Sequence, residues 1–122
     1  METRAIELAE TQRARRGHPF LPPFEELAAV PGLYETESTP TADKIVWLHY
    51  FSAGSDHYIT EIGYDGDQLL GFGYTKMAAF PEGAEWGYTD FAELEAVNAH
   101  RGLVIVERDL FWTPKRFSQI GA

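Results

Sequence analysis

The sequence predicts an α+β domain: an antiparallel meander of four to five strands, one helix before it, and a later helix packed on it. Three observations lead there. Segments rich in β-branched and aromatic residues follow one another closely: KIVWLHYF (44–51), HYITEIGY (57–64) and QLLGFGYTK (68–76). Turn signals separate them, above all Asp65–Gly66, a dipeptide that favours a two-residue type I′ hairpin. Helical periodicity is confined to the flanks.

Taken in order, residues 2–15 read as the first helix. Ile6, Ala9 and Arg13 share one side, with Ala5, Leu8 and Gln12 beside them. Its acids come early and its arginines late, which suits the helix dipole. Gly17 offers a left-handed cap and Pro19 cannot continue the helix. PFEELAAV (23–30) gives a short second helix that Pro23 opens and Pro31–Gly32 closes. A strand is expected at 33–35, then a polar loop, TESTPTAD (36–43). The three strands named above follow, with SAGS turning the first into the second. FPEGA (80–84) reads as loop and 84–88 as a short strand.

Thr89 or Asp90 then caps a helix to about residue 99. Asp90 with Glu93 three residues on resembles a capping box, and Phe91, Leu94 and Val97 form the stripe to be buried. Gly102 resets the chain for a last strand at 103–107, and the tail is expected to pack by Phe117 and Ile120. Arg108 and Asp109 read as a structural ion pair. The layout is one compact domain, with a helical segment at 1–32 and the sheet with its inserted helix at 33–122.

The chain has 122 residues, 44% hydrophobic and 14% aromatic, enough for a single core. It has no cysteine, which removes disulfides, thiolate nucleophiles and Cys-type zinc sites. No apolar run approaches the roughly 20 residues of a membrane span. Glu2, Glu7 and Glu10 interrupt the first residues, which do not read as a secretory signal, so a cytoplasmic protein is expected.

The net charge is −9 and unevenly placed. Between Asp56 and Glu95 lie nine acids, with Lys76 the sole lysine or arginine. That argues against direct binding of nucleic acid and suits the basic surface of a protein partner. Asp56, Tyr58, Asp65, Asp67, Glu82, Glu85, Trp86 and Asp90 are the residues expected to meet it, since acids supply the charge and aromatics the contact area. Neither membrane nor cofactor is expected, and the chain is read as a monomer or homodimer.

Gly71 and Gly73 raise a separate question. With a two-residue Asp65–Gly66 turn, Thr60 faces Gly71 and Tyr58 faces Gly73, so the Tyr58 ring covers the missing side chain. The functional reading of the same glycines is a shallow groove open to a partner. The preceding turn sets which face His49 joins. A three-residue loop, the preferred reading, puts His49 opposite His57; a four-residue loop puts it beside Tyr58 and the glycines.

Chemistry has few footholds. His49 facing His57 would supply two metal ligands, but Glu61 lies roughly 13 Å beyond His57 at strand rise, and a third ligand is missing, so no metal is expected. No G-x-S-x-G elbow exposes Ser52 or Ser55. The Glu82/Glu85 and Glu93/Glu95 pairs read as solvated surface. No catalytic residues are therefore expected. The alternative is a small hydrolase or metal enzyme centred on His49, with Asp56 and Glu85 as acid–base candidates. A further alternative is an accessory structural domain.

Several stretches bear a resemblance. LYETESTPTADKIVWLHYF, DHYITEIGYDGD, LLGFGY, AEWGYTDFAELEAV and VERDLFWTPKRFSQI, from Leu33 to Ile120, resemble an uncharacterised mobile-element family, catalogued as domain of unknown function 2958. Its AEWGY and ERDL-W-P patterns are matched by residues 84–88 and by Glu107, Arg108, Asp109, Leu110, Trp112 and Pro114; His57 stands where that family has tryptophan. The resemblance implies a plasmid, phage or integrative-element protein and transfers no activity. Together with the charge, it leads us to expect a non-enzymatic acidic binding module. Its role would be anti-defence, of the anti-CRISPR or antirestriction type, acting on a DNA-handling protein through clustered carboxylates that imitate phosphates.

Overall fold

The computed structural model describes residues 5–122. Two short helices come first, α1 (Arg13–Arg16) and α2 (Phe24–Ala29). The strands β1 (Ile45–Val46), β2 (Leu48–Ser52), β3 (Ser55–Asp65), β4 (Gln68–Met77) and β5 (Phe80–Asp90) follow. After α3 (Phe91–Ala96) come β6 (Asn98–Ala99), β7 (Val104–Ile105), β8 (Glu107–Arg108) and β9 (Lys115–Arg116). The expected α+β architecture is present. Strands β2 to β5 form an antiparallel meander and β8 joins its β2 edge, giving the order β5-β4-β3-β2-β8. No described helix is long and apolar enough to cross a membrane.

The turns fix the register, and both differ from expectation. Ala53 and Gly54 alone join β2 to β3, so His49 pairs with Tyr58 and Tyr50 with His57. His49 and His57 therefore stand on opposite faces. Asp65 stays in its strand and pairs with Gln68, so the next turn is Gly66–Asp67. Gly66 has φ 61° at the first turn position, as in a II′ rather than an I′ turn. Tyr64 then pairs with Leu69 and Ile62 with Gly71. Thr60 bulges out between the Ile59–Gly73 and Glu61–Phe72 pairs, its hydroxyl bonded to the Phe72 carbonyl at 3.0 Å.

This register explains the glycines. Both lie on the core face. A Cβ on Gly71 would stand 2.5 Å from Cε1 of Phe91, and one on Gly73 1.8 Å from the Tyr58 carbonyl oxygen that the bulge pushes inward. The missing side chains make room for α3 and for backbone, so the expected groove over them is filled, and Tyr58 pairs with Tyr74 rather than covering Gly73.

The core face gathers Tyr50, Ile59, Ile62 and Leu69 against Phe20, Leu27, Val30, Phe91, Leu94 and Val106. Each such large side chain contributes roughly 1.5–3 kcal/mol by leaving water. The opposite face carries His49, Phe51, Tyr58, Phe72, Tyr74, Trp86 and Tyr88. Phe117 closes over Tyr74 and Trp86, with ring centroids 5.0 and 4.8 Å away, as the tail was expected to do. The adjacent β9 also pairs with β1.

Buried carboxylates account for two further departures. The first helix is reduced to the single turn of α1; its expected start at residues 2–4 lies outside the described residues. In a continuous helix the Thr11 and Gln12 amides would bond to carbonyls four residues back. They donate instead to the Glu95 carboxylate, at 2.8–3.0 Å. Likewise the strand expected at 33–35 is a turn. Glu61 accepts the Tyr34 and Thr36 amides at 2.8 and 3.1 Å, and Tyr34 takes φ 71°. Buried Lys44 bonds to the Thr36 carbonyl and hydroxyl, closing the same loop.

FPEGA is not a loop, because β5 starts at Phe80 opposite Met77. Asp90 caps α3 by accepting the Glu93 amide at 3.1 Å, as expected, although the helix ends at Ala96. The last strand is split at Val106, whose carbonyl accepts Nε of Arg16 at 2.8 Å. Arg108 and Asp109 serve different partners: Arg108 donates to the Pro19 carbonyl at 3.2 Å and Asp109 meets His49.

Candidate functional site

His49 projects from β2 onto the aromatic face. Its Nε2 lies 2.8 Å from Oδ1 of Asp56 on β3, and its Nδ1 lies 2.9 Å from Oδ2 of Asp109, just beyond β8. The ring stacks on Tyr58 with centroids 4.8 Å apart and planes 8° from parallel, and Trp112 packs at 5.1 Å. Each ring nitrogen thus lies within hydrogen-bond distance of a carboxylate, so both are already occupied by protein groups in this arrangement. Burial pushes the Tyr58 phenol up, and the Asp56 charge adds to this.

This clamp shapes a loop. Asp109 also accepts the Phe111 amide at 3.0 Å, and its own amide donates to the His49 carbonyl at 2.8 Å. The Trp112 indole donates to the Val46 carbonyl at 2.9 Å, and Lys115 places its ammonium 4.5 Å from the Trp112 ring. The result is a groove of about 320 Å³ between α2 and this loop. Glu25, Glu26, Trp47, His49, Asp109 and Trp112 are among the residues lining it. Leu110 stands at its edge, 52% exposed, and the neighbouring Phe111 is 94% exposed.

Of the residues expected to meet a partner, Asp56 and Tyr58 are brought together, both through His49. The others scatter. Asp65 ends β3 and Asp67 lies in the β3–β4 turn, while Glu82 stands in β5 beside the far end of the ten-residue β4, roughly 30 Å away at strand rise. Glu85 pairs with Thr75, which pairs with His57, so Glu85 points to the opposite face from His49. Trp86 is packed among Phe72, Tyr74 and Phe117. Asp90 is occupied by the Glu93 amide and by Gln68 at 3.2 Å. The acidic run in the sequence is thus not one patch in space, and the His49, Asp56 and Glu85 set does not assemble.

On the core face, Ser55 lies 3.1 Å from Nε2 of His57 and 2.7 Å from Ser52. Burial holds the His57 imidazole below its ordinary range; Asp56 opposes this and His49 adds to it. The other ring nitrogen faces the Thr75 hydroxyl at 3.4 Å, so no carboxylate completes a triad. Among the described residues, no group of three His, Asp or Glu side chains is placed to hold a metal ion.

Sequence reasoning missed Asp109, Trp112, Glu25 and Glu26 as parts of one surface. One signal was there: Leu110, Phe111 and Trp112 follow a turn-forming Asp109, with too many apolar side chains in succession for a strand with one wet face. In comparisons with family models, curated proteins and solved structures, nothing matches this chain.

Proposed function

We propose that the chain is a non-enzymatic binding module that seats a basic segment of a protein partner in the groove between α2 and the loop after β8. One observation carries this reading: at one groove, carboxylates with no ion-pair partner among the described residues stand next in sequence to exposed aromatic side chains or share the lining with exposed Leu110. Phe24 is 79% and Phe111 94% exposed. Glu25 and Glu26 follow Phe24 in α2, line the groove with Leu110 and Arg108, and have no hydrogen bond or ion pair among the described residues. Large exposed aromatics of this kind mark interaction surfaces, and arginine or lysine stems pack well on tryptophan faces. Lys115 already rests on Trp112 in this way.

The resemblance to a mobile-element family adds a partner class: a host protein that handles DNA and so presents basic side chains. The scatter of Asp65, Asp67, Glu82 and Glu85 favours recognition of one basic segment over imitation of a row of phosphates. A hydrolase centred on His49 gains no support, because both ring nitrogens are committed to carboxylates.

The test is titration of an arginine-rich peptide into isotope-labelled protein. The Trp112 indole and the Leu110 and Phe111 amides should shift, and binding should weaken several-fold as ionic strength rises. A Glu25→Gln/Glu26→Gln double variant and Phe111→Ala should each weaken it while leaving thermal stability unchanged. Affinity insensitive to salt and to these variants would overturn the proposal.

A further inference from the structure

We infer that β5 is a strand-pairing edge that takes an extended basic segment of a partner protein through backbone hydrogen bonds. This surface lies at the opposite edge of the sheet from the α2 groove, so it stands or falls independently of it. Among the described residues, β5 pairs with β4 alone, and no other element supplies a backbone hydrogen bond to it. It is 11 residues long, whereas edges are usually kept short or covered because their unpaired N–H and C=O groups recruit other chains.

Alternation of antiparallel hydrogen bonding identifies the outward groups. The two-residue turn makes Asp65–Gln68 a mutually bonded pair, and the alternation carries on to Leu70 and Phe72, which bond to β3. Gly71, Gly73 and Thr75 therefore turn to β5, where their partners are Thr89, Gly87 and Glu85. Trp86 and Tyr88 are left with backbone groups directed away from the sheet. Pro81 and the register shift lie in the first part of β5; residues 85–90 contain no proline and no lysine, and their pairing has no bulge. The centre is open: a Cβ on Gly87 would meet nothing within 4 Å, and Tyr88 is 50% exposed.

Charge selects the occupant. A second copy paired edge to edge would bring the acids Glu82, Glu85 and Asp90 against the same acids, with no lysine or arginine on the strand to offset them. A basic strand is attracted instead. Directly opposed residues share a face, so the residues across from Trp86 and Tyr88 meet rings, while those across from Glu85 meet a carboxylate. A strand that alternates apolar and basic residues satisfies both sides.

The probe is a peptide of alternating valine and lysine, titrated into the full chain and read by amide hydrogen exchange. The Trp86 and Tyr88 amides should slow by about tenfold or more, whereas Glu85, Gly87 and Thr89, already bonded to β4, should change little. Tyr88→Pro removes an outward donor without touching the β4 ladder and should abolish this protection; Tyr88→Phe should keep it. Glu85→Lys retains the strand and should transfer preference to a valine–glutamate peptide, which keeps the test decisive if the proline variant does not fold. The inference is overturned by absence of protection, by equal binding of a folded Tyr88→Pro protein, or by protection that grows with protein concentration alone, which would make a second copy the occupant.

Discussion

Replacing Glu95 by glutamine tests whether one buried carboxylate fastens residues 11–16 to the sheet domain. The side chain comes from α3 and is fully buried. It accepts four donors: the Thr11 amide and hydroxyl, the Gln12 amide and Nη2 of Arg16, at 2.8–3.1 Å. Arg16 itself is buried and also reaches Glu10 at 3.0 Å, Val106 and the Glu95 carbonyl. Glutamine keeps the shape but offers one oxygen, and its amide turns N–H groups toward donors. Two of the four bonds are then lost, each worth about 1.5–3 kcal/mol when charge-assisted. Arg16 keeps Glu10, which holds the sum to about 3–5 kcal/mol, the range for breaking a buried ion pair.

For a chain of this length that loss lowers Tm by about 10–20 °C and removes much of the usual margin. Urea unfolding followed by tryptophan fluorescence measures it, and the exchange rates of the Thr11 and Gln12 amides locate it. The pH dependence gives an independent sign. Burial pushes the Glu95 carboxyl up, but the bonds from Gln12, Thr11 and Arg16 outweigh burial and leave it below its ordinary 4.5. Its contribution is therefore complete above the unfolded value and is lost as pH falls through the lower folded value. The glutamine variant should lack that part of the acid limb. A loss below about 1 kcal/mol, with unchanged exchange at Thr11 and Gln12, would refute the reasoning.

The glycines give a graded series by urea denaturation. Gly73→Ala drives a Cβ into backbone and should cost more than Gly71→Ala, which meets the buried Phe91 ring at about 1–3 kcal/mol. Gly87→Ala meets nothing and should be neutral or stabilise by up to about 1 kcal/mol. Tyr50→Phe removes the 2.7 Å bond from the phenol to the Phe20 carbonyl and should cost about 1–3 kcal/mol by leaving that carbonyl unpaired. His57, held below 6.5 by burial, should make stability fall as pH drops from above 6.5 toward its folded value, and His57→Gln should flatten that limb. His49→Ala should leave two carboxylates facing each other and free the 109–112 loop, seen as a changed Trp112 indole shift and faster exchange of the Phe111 amide.

The α+β class, the meander and its aromatic strands were legible because each rests on local pattern: β-branched and ring-bearing runs, separated by short turns. The α3 cap was legible for the same reason, since Asp90 and Glu93 are three residues apart. The tail was half legible: Phe117 packs as expected, while the pairing of β9 with β1 joins residues far apart in sequence.

What the sequence by itself determined is the aromatic strands of the meander, the start of α3 and the net acidity. What only the tertiary structure decided is which acids are surface and which are fasteners. Glu95 reads as solvated beside Glu93, and Glu61 as one more strand residue, yet each takes backbone amides from a distant segment and overrides that segment's own preference for helix or strand. Register was decided in the same way. One residue in a turn exchanges the two faces of a sheet, so only the closed structure shows His49 held between Asp56 and Asp109, with Gly71 and Gly73 under Phe91 and the bulge. The physical reason is common to both cases: hydrogen-bond partners and sheet faces are set by atoms that meet in space, and the spacing of residues along the chain does not encode those meetings.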